Sequence, residues 1–295
     1  MRFGAVLPTQ EVGSDPIAVR DYVQAVEGLG FDHLVTYDHV LGAVQESREP
    51  PLTGPYDEKD PFHEPLVLFG FLAALTSTLE FCTGVLVLPQ RQTALVAKQV
   101  AEVSLLSGGR IRLAVGTGWN HTEYESLGQD FDTRGPRLTE QMKLLRRLWT
   151  EPVIDFEGRF HRVDRAGILP LPEVPIPLWC GGKALPALKR AARHGDGFMW
   201  GSTRPEVFEQ APVVLDLVAG YGRDPATFGL EAVVDVTAGE KEWERRLTAF
   251  EIVGGTHFSF RTISTAADWM QIRDPACTSV SQHIDALERF AKTCM

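Results

Sequence analysis

Two adjacent residues that could carry acid–base chemistry, Asp38 and His39, follow the short apolar segment 33–36. A histidine takes up or releases a proton near neutral pH, and a neighbouring carboxylate or backbone group can fix its tautomer. Glu123 is a further candidate acid, on a short predicted helix after Asn120. Plainer roles are also compatible with these residues: Asp38 as a loop cap, His39 as a space-filling rim residue, and Glu123 as a solvated helical residue.

Two glycine-rich turns offer places where the backbone could approach a ligand closely. Gly116-Thr117-Gly118 follows one apolar segment, although such glycine pairs are common in ordinary turns. Gly181-Gly182-Lys183 lies between an apolar segment and a predicted helix, where free N–H groups, the helix dipole and a lysine favour a phosphate. Tight strand-to-helix packing with a solvated Lys183 is the alternative. Arg91 could meet an anion at the rim or simply hydrogen-bond a loop.

Hydrophobic periodicity predicts the elements that position these residues. The stretch 79–118 is predicted to be a β-α-β unit, with strands at 81–88 and 111–115 around a helix at 93–106. Eight strands, each followed by a helix, favour one (β/α)8 barrel over residues 1–295 rather than an open doubly wound sheet. The other predicted strands are 2–7, 33–36, 178–180, 197–200, 230–236 and 256–260. The other predicted helices are 16–29, 64–75, 119–128, 137–149, 183–193, 204–218, 240–252 and 280–291.

Two segments interrupt the repeat. Residues 40–63 lack usable periodicity and are rich in proline and glycine, which is typical of a functional loop. Residues 152–175 alternate weakly and predict a small hairpin outside the barrel. Because catalytic residues of such barrels lie just past the carboxyl ends of the strands, Asp38, His39 and both glycine turns are expected at one mouth.

Composition restricts the class of partner. A formal net charge of −10 disfavours nucleic acid or an anionic membrane surface as a partner. No apolar run approaches the ~18 residues that a membrane span needs. The four cysteines have no paired metal-ligand spacing, so no metal site is predicted. The expectation is a reduced, cytoplasmic protein that acts on a small molecule.

Taken together, the motifs resemble the bacterial luciferase-like monooxygenase family, and within it the oxidoreductases that use the deazaflavin coenzyme F420. The matching stretches run from residue 1 to past 260 and so cover nearly the whole chain. They are Tyr37-Asp38-His39-Val40-Leu41-Gly42, Gly54-Pro55-Tyr56, Asp60-Pro61-Phe62-His63-Glu64-Pro65, Thr83-Gly84-Val85-Leu86, Ala97-Lys98-Gln99, Leu106-Ser107-Gly108-Gly109-Arg110, Gly116-Thr117-Gly118-Trp119-Asn120, and Gly181-Gly182 to Asp196-Gly197.

The resemblance implies a barrel that holds a cofactor ring at the carboxyl ends of its strands. It implies a non-proline cis peptide after the third strand, here Gly84-Val85, as a bulge against one face of the ring. It also places Asp38 and His39 toward the reactive carbon, with His39 handling the proton, and a phosphate at Gly181-Gly182-Lys183. The residues expected to bind the cofactor are Asp38, His39, Gly84, Val85, Gly116, Thr117, Gly118, Trp119, Asn120, Gly181, Gly182 and Lys183.

One departure from the family pattern concerns the general acid. Some members carry a glutamate where the fourth strand ends, whereas this chain has Trp119-Asn120 there. Glu123 then becomes the candidate acid, beside His39 and Asp38, and dehydrogenation of a sugar phosphate is disfavoured. Trp119 is expected instead to wall the substrate pocket.

The sequence therefore predicts an oxidoreductase that transfers a hydride between F420 and an organic substrate, with residues 40–63 as a lid. The alternatives are an FMN-dependent monooxygenase of the same family and a barrel that binds a flavin-like molecule without turnover. Because members of the family often associate through helices on one side of the barrel, a homodimer is expected.

Overall fold

Parallel strands buried on both faces form the centre of the molecule in the computed structural model, which describes residues 1–52, 54–263 and 277–295. The strands are β1 (Arg2–Val6), β2 (His33–Thr36), β3 (Glu80–Thr83), β4 (Leu86–Val87), β5 (Ile111–Gly116), β6 (Ile154–Glu157), β7 (Arg162–Ala166), β8 (Leu178–Gly181), β9 (Gly197–Trp200), β10 (Gly229–Asp235) and β11 (His257–Arg261). In the main sheet they run in the order β3-β2-β1-β11-β10-β9-β8-β5-β4, and β3 also pairs with β5. Since β3 and β4 share one position, the sheet closes into the predicted eight-stranded (β/α)8 barrel.

The predicted strand 81–88 is not continuous, and the prediction was wrong on this point. It is interrupted by a cis peptide bond between Gly84 and Val85, which confirms the bulge that the resemblance implied. The two parts pair separately with β5, with Phe81 opposite Ile111 in one part and Leu86 opposite Val115 in the other. An apolar run cannot reveal such a break, because both parts are equally buried.

Helices surround the barrel as the alternation predicts. Their first turns are often capped by side chains: Asp15 accepts a hydrogen bond from the Ile17 amide at 2.9 Å, and Glu64 accepts one from the Val67 amide at 2.7 Å. The helices are α1 (Thr9–Val12), α2 (Pro16–Gly28), α3 (Pro65–Ala73), α4 (Thr93–Ser107), α5 (His121–Ser126), α6 (Arg134–Thr150), α7 (Leu185–His194), α8 (Pro205–Gly220), α9 (Glu240–Ile252) and α10 (Val280–Cys294).

One difference from the predicted elements has a local cause, and one predicted excursion is confirmed. The helix predicted from residue 183 begins at Leu185, because Gly182 has φ of 140° and Ala184 is extended. The excursion 152–175 contains the predicted hairpin, in which β6 and β7 pair antiparallel outside the barrel.

A buried polar cluster fills the amino-terminal end of the barrel. Arg112 donates to Glu231 at 2.6 Å and to Glu80 at 2.8 Å, and its guanidinium lies 4.2 Å from the ring centroid of Trp179. Burial opposes the charged carboxylate, yet Arg112 and His33 hold the pKa of Glu231 well below its ordinary range. This end of the barrel is therefore closed by paired charges.

Across the described residues, no helix combines the length and the apolar character that a bilayer crossing requires.

Candidate functional site

The predicted site residues converge at the carboxyl ends of the barrel strands, which we call the mouth. Asp38 and His39 follow β2, and the Gly84–Val85 bulge separates β3 from β4. The turn at residues 116–120 follows β5, and Gly182 follows β8. This is the end at which ligands bind in parallel α/β barrels.

His39 is held by a carboxylate from the next turn of the mouth. Its Nδ1 lies 3.1 Å from Oε2 of Glu123, while Oε1 accepts the backbone amides of Val40 at 2.6 Å and Leu41 at 3.0 Å. Burial alone would raise the pKa of Glu123, but the hydrogen bonds from His39 and the two amides lower it. An ionised carboxylate only accepts hydrogen bonds, so Nδ1 carries the hydrogen and Nε2 is the free nitrogen.

Glu123 lies at the mouth, as expected for the candidate acid, and its environment differs from that of a solvated helical residue. Its side chain is 1% exposed, so it is not a solvated helical residue. Because both carboxylate oxygens are occupied and its pKa is lowered, its contacts are those of a group that orients His39.

Three aromatic rings enclose the His39 imidazole. Ring centroids lie 4.8 Å away for Phe62, 5.4 Å for Tyr56 and 5.5 Å for Trp119. Tyr56 and Phe62 come from the 40–63 segment and, together with Val85, pack on the apolar side chains inside the barrel. Sequence reasoning missed both as site residues; aromatic residues within an otherwise polar, proline-rich loop were the available signal.

Asp38 is directed away from solvent and supports the backbone of the mouth. One carboxylate oxygen accepts from Arg91 Nη2 at 2.6 Å, and the other accepts the Val87 amide at 2.8 Å. Arg91 Nη1 also donates to Glu64 at 2.8 Å. Burial raises the pKa of Asp38, and the adjacent guanidinium opposes that shift.

The glycines at the strand ends make room for the bulge. A β-carbon at Gly116 would lie 2.4 Å from the Val85 side chain, and one at Gly181 would lie 2.5 Å from it. Gly118 has φ of 62°, and a β-carbon there would lie 2.7 Å from Val87. Val85 thus stands between two strand ends, in the space that the sequence suggested for a ligand.

The remaining residues of the turn after β5 organise helix α5. Asn120 accepts the amides of Thr122 at 3.1 Å and Glu123 at 3.4 Å, and its Nδ2 donates to the Leu41 carbonyl at 3.4 Å. The Thr117 carbonyl accepts from the Tyr124 hydroxyl at 2.7 Å. The contacts of Asn120 therefore position Glu123 and the start of the 40–63 segment.

The predicted phosphate site lies at the start of α7. Lys183 is exposed, and the helix start at Ala184 has no side-chain cap. Gln210 donates to the Lys183 carbonyl at 3.0 Å and accepts from Trp200 Nε1 at 2.8 Å. These two hydrogen bonds hold the backbone at Lys183 in place. Pro186 has no amide hydrogen and the Ala187 amide already donates to the Ala184 carbonyl, so this helix start offers the Leu185 amide and the Lys183 side chain to a phosphate.

A further charged group at the mouth was not among the predicted site residues. Arg261, at the end of β11, donates to Asp235 at 2.5 Å and to the Tyr37 hydroxyl at 3.0 Å. Burial raises the pKa of Tyr37, so its hydroxyl is protonated at neutral pH. The position of Arg261 at a strand end was the available signal.

A family model and a solved structure match nearly the whole chain, and two relatives in sequence match about three fifths of it. A family model described as luciferase-like monooxygenase matches residues 1–288. An uncharacterized protein of Mycobacterium tuberculosis is 35% identical over 191 residues, which cover 63% of this chain and 66% of that protein, just under two thirds of its length. Pyrimidine monooxygenase RutA of Escherichia coli is 32% identical over 195 residues, which cover 61% of this chain and 53% of that enzyme. A solved F420-dependent secondary alcohol dehydrogenase, in complex with an F420–acetone adduct, has the same fold with a TM-score of 0.77 at 17% identity, over 99% of this chain and 97% of that one. The chain therefore belongs to the luciferase-like monooxygenase family.

Proposed function

We propose that this protein is an oxidoreductase that transfers a hydride between the deazaflavin F420 and an organic substrate. The observation that carries the proposal is the His39 imidazole at the mouth, with Nδ1 fixed by an ionised Glu123. Within the described residues, Nε2 of His39 makes no hydrogen bond. A histidine with one oriented nitrogen and one free nitrogen is suited to proton transfer.

The residues at the mouth fit a flat ring with a phosphate-bearing tail. Val85 offers an apolar side chain for one face, supported by Gly116 and Gly181 behind it. The uncapped start of α7 and the exposed Lys183 supply donors for a phosphate. F420, when bound, supplies the two-electron hydride chemistry, and the protein supplies orientation and electrostatics.

In the oxidising direction, Nε2 of His39 accepts the proton of a substrate hydroxyl as the hydride departs. Glu123 keeps the lone pair on Nε2 by holding the hydrogen on Nδ1, and it stabilises the imidazolium that forms. In the reverse direction, Nε2 returns that proton to the substrate oxygen. Tyr56, Phe62 and Trp119 wall this nitrogen, and we assign to the 40–63 segment the exclusion of water from the hydride.

Titration of the purified protein with F420 and with FMN tests the cofactor assignment. We expect F420 to bind more tightly, as followed by quenching of its fluorescence. Oxidised F420 with an alcohol, or reduced F420 with a carbonyl compound, should be turned over without oxygen consumption. The 32% identity to pyrimidine monooxygenase RutA favours a second candidate, a flavin-dependent monooxygenase. Tighter binding of FMN together with oxygen uptake would replace the first assignment by the second.

We further propose a homodimer that associates through α3 and α4. The α3 helix is apolar on all sides, and it leaves Val67 69% and Phe71 43% exposed. Leu95 of the adjacent α4 is 52% exposed. We expect a dimer by sedimentation and a monomer for V67E, whereas I17E on the exposed face of α2 should remain dimeric. A monomeric wild-type protein would refute this assignment.

A further inference from the structure

One arginine joins the two ends of the 40–63 segment. Asp38 precedes this segment and Glu64 follows it, and Arg91 binds both carboxylates, at 2.6 Å and 2.8 Å. The Arg91 side chain is only 12% exposed. The segment is thus closed at its base by a single guanidinium whose two terminal nitrogens contact different partners.

The same guanidinium reaches the bulge through Asp38. The second oxygen of Asp38 accepts the Val87 amide at 2.8 Å, two residues after Val85. Gln141 fixes the turn that carries Arg91, because its Nε2 donates to the Leu88 carbonyl at 3.1 Å. The base of the segment and the backbone after the bulge therefore share one network.

Anion binding at the rim, the first interpretation of Arg91, fits this geometry poorly. Its one positive charge already faces two carboxylates, Asp38 and Glu64, so the local charge is negative. A ligand anion would have to displace Glu64, or else leave the buried Asp38 carboxylate without its guanidinium, which is costly.

We propose that Arg91 is a positioning residue, which holds the 40–63 segment over the mouth and sets the backbone on which Val85 stands. The ring-binding part of this inference rests on the proposed function, since Val85 is assigned there to one face of the ring. The segment-holding part is independent of any cofactor.

Three variants test the proposal: R91Q, R91K and the matched control R146Q. Arg146 forms an ion pair with Asp196 before β9, at the opposite end of the barrel, so its loss reports the general effect of breaking a charge pair. We expect protease cleavage within 40–63, mapped by mass spectrometry, to be about tenfold faster in R91Q, and ring affinity to be about tenfold weaker. R91K should recover part of both effects, because an ammonium can pair with one carboxylate, and R146Q should change neither.

Cleavage of R91Q at the wild-type rate would overturn the proposal, as would ring affinity close to that of the wild type. If the wild-type protein binds neither F420 nor FMN, the proposed function fails, and the cleavage rates alone decide the role of Arg91. Should R91Q fail to fold, E64Q takes its place, because it releases only the far end of the segment and leaves the Asp38–Arg91 pair intact.

Discussion

The same histidine–glutamate arrangement occurs twice in this molecule, once at the mouth and once outside the barrel. At the mouth, Glu123 accepts from Nδ1 of His39 at 3.1 Å and from two consecutive backbone amides that follow it. Outside, Glu140 of α6 accepts from Nδ1 of His161 at 2.8 Å and from the two amides that precede it, at 2.7 and 2.9 Å. In both, a glutamate fixes a non-helical segment and the tautomer of the adjoining histidine.

The two pairs differ at the other nitrogen of the ring. Nε2 of His161 lies 2.7 Å from the Thr93 hydroxyl, which in turn accepts from Gln141 at 2.9 Å. Nε2 of His39 has no such partner among the described residues and is walled by aromatic rings. The same carboxylate arrangement therefore leaves Nε2 bonded to Thr93 in His161 and without a partner among the described residues in His39. Only His39 thus has a ring nitrogen available for the proton transfer proposed above.

Replacing each histidine should separate the two pairs most strongly. We expect H39A to lower turnover by about 10²–10⁴-fold, because the proton acceptor is lost. H161A should keep its turnover, since His161 only links the hairpin to α4 and α6. Steady-state rates with F420 and a competent alcohol provide the measurement. Unchanged turnover in H39A would show that His39 has been assigned wrongly, and no turnover by the wild type on any substrate would favour the non-catalytic binder.

Replacing each glutamate tests whether orientation of the ring matters. In E123Q the amide oxygen can still accept from Val40 and Leu41, but the amide nitrogen then faces Nδ1 of His39, donor against donor. The imidazole must move its hydrogen to Nε2, so we expect turnover to fall roughly tenfold or more with the ring affinity unchanged.

The matched control for that change is E140Q. It leaves one amide of the hairpin turn without an acceptor, so we expect a loss of about 1–3 kcal/mol in the free energy of unfolding and no effect on turnover. A pH–rate profile gives a second readout: removing a negative charge beside the imidazole should shift the profile in E123Q and leave it in place in E140Q. Identical profiles for both variants would contradict an orienting role for Glu123.

Much of the fold follows from the pattern of apolar residues alone. The segment His33–Thr36 was predicted as β2 and Glu240–Ile252 as α9, and both were found with those bounds. These elements are buried on predictable faces, so local periodicity suffices. His39 was a predicted site residue for the same reason: the end of a barrel strand can be read from the strand.

Contacts between distant, irregular segments could not be predicted. Glu123 orients His39 only because the path of residues 40–41 brings two amides to it, and that path has no periodicity. The Arg112–Glu231 pair joins residues 119 positions apart, and each charge alone resembles an interruption of an apolar strand. Both arrangements depend on barrel closure, which brings together residues that the chain keeps separate.

Acidification should weaken both histidine–glutamate pairs. Hydrogen bonds from a histidine and two amides lower the pKa of Glu123 and of Glu140, although burial acts in the opposite direction. A carboxyl group whose pKa is lowered in the folded state stabilises the fold at a pH above its ordinary pKa of 4.5. That stabilisation is lost as the pH falls through the pKa of the folded state. The difference in free energy of unfolding between wild type and E140Q should therefore be largest near neutral pH and shrink below 4.5, as measured by urea titration. If this difference in free energy of unfolding does not change with pH, the negative charge of Glu140 does not contribute to stability.

The smallest expected effect comes from removing the hydrogen-bond partner of His161 Nε2. Because Glu140 keeps the hydrogen on Nδ1 of His161, the Thr93 hydroxyl must donate to Nε2, and T93V removes that donor at nearly constant volume. We expect a loss of about 1–2 kcal/mol in the free energy of unfolding, less when His161 is already replaced by alanine, because the two residues are coupled. Turnover should not change, although T93V gives His161 the free nitrogen that His39 has. A free nitrogen is useful only where a ring and a substrate can reach it, and the hairpin lies outside the barrel. A change of turnover in T93V would mean that the hairpin acts on the mouth, and that the two pairs are not independent.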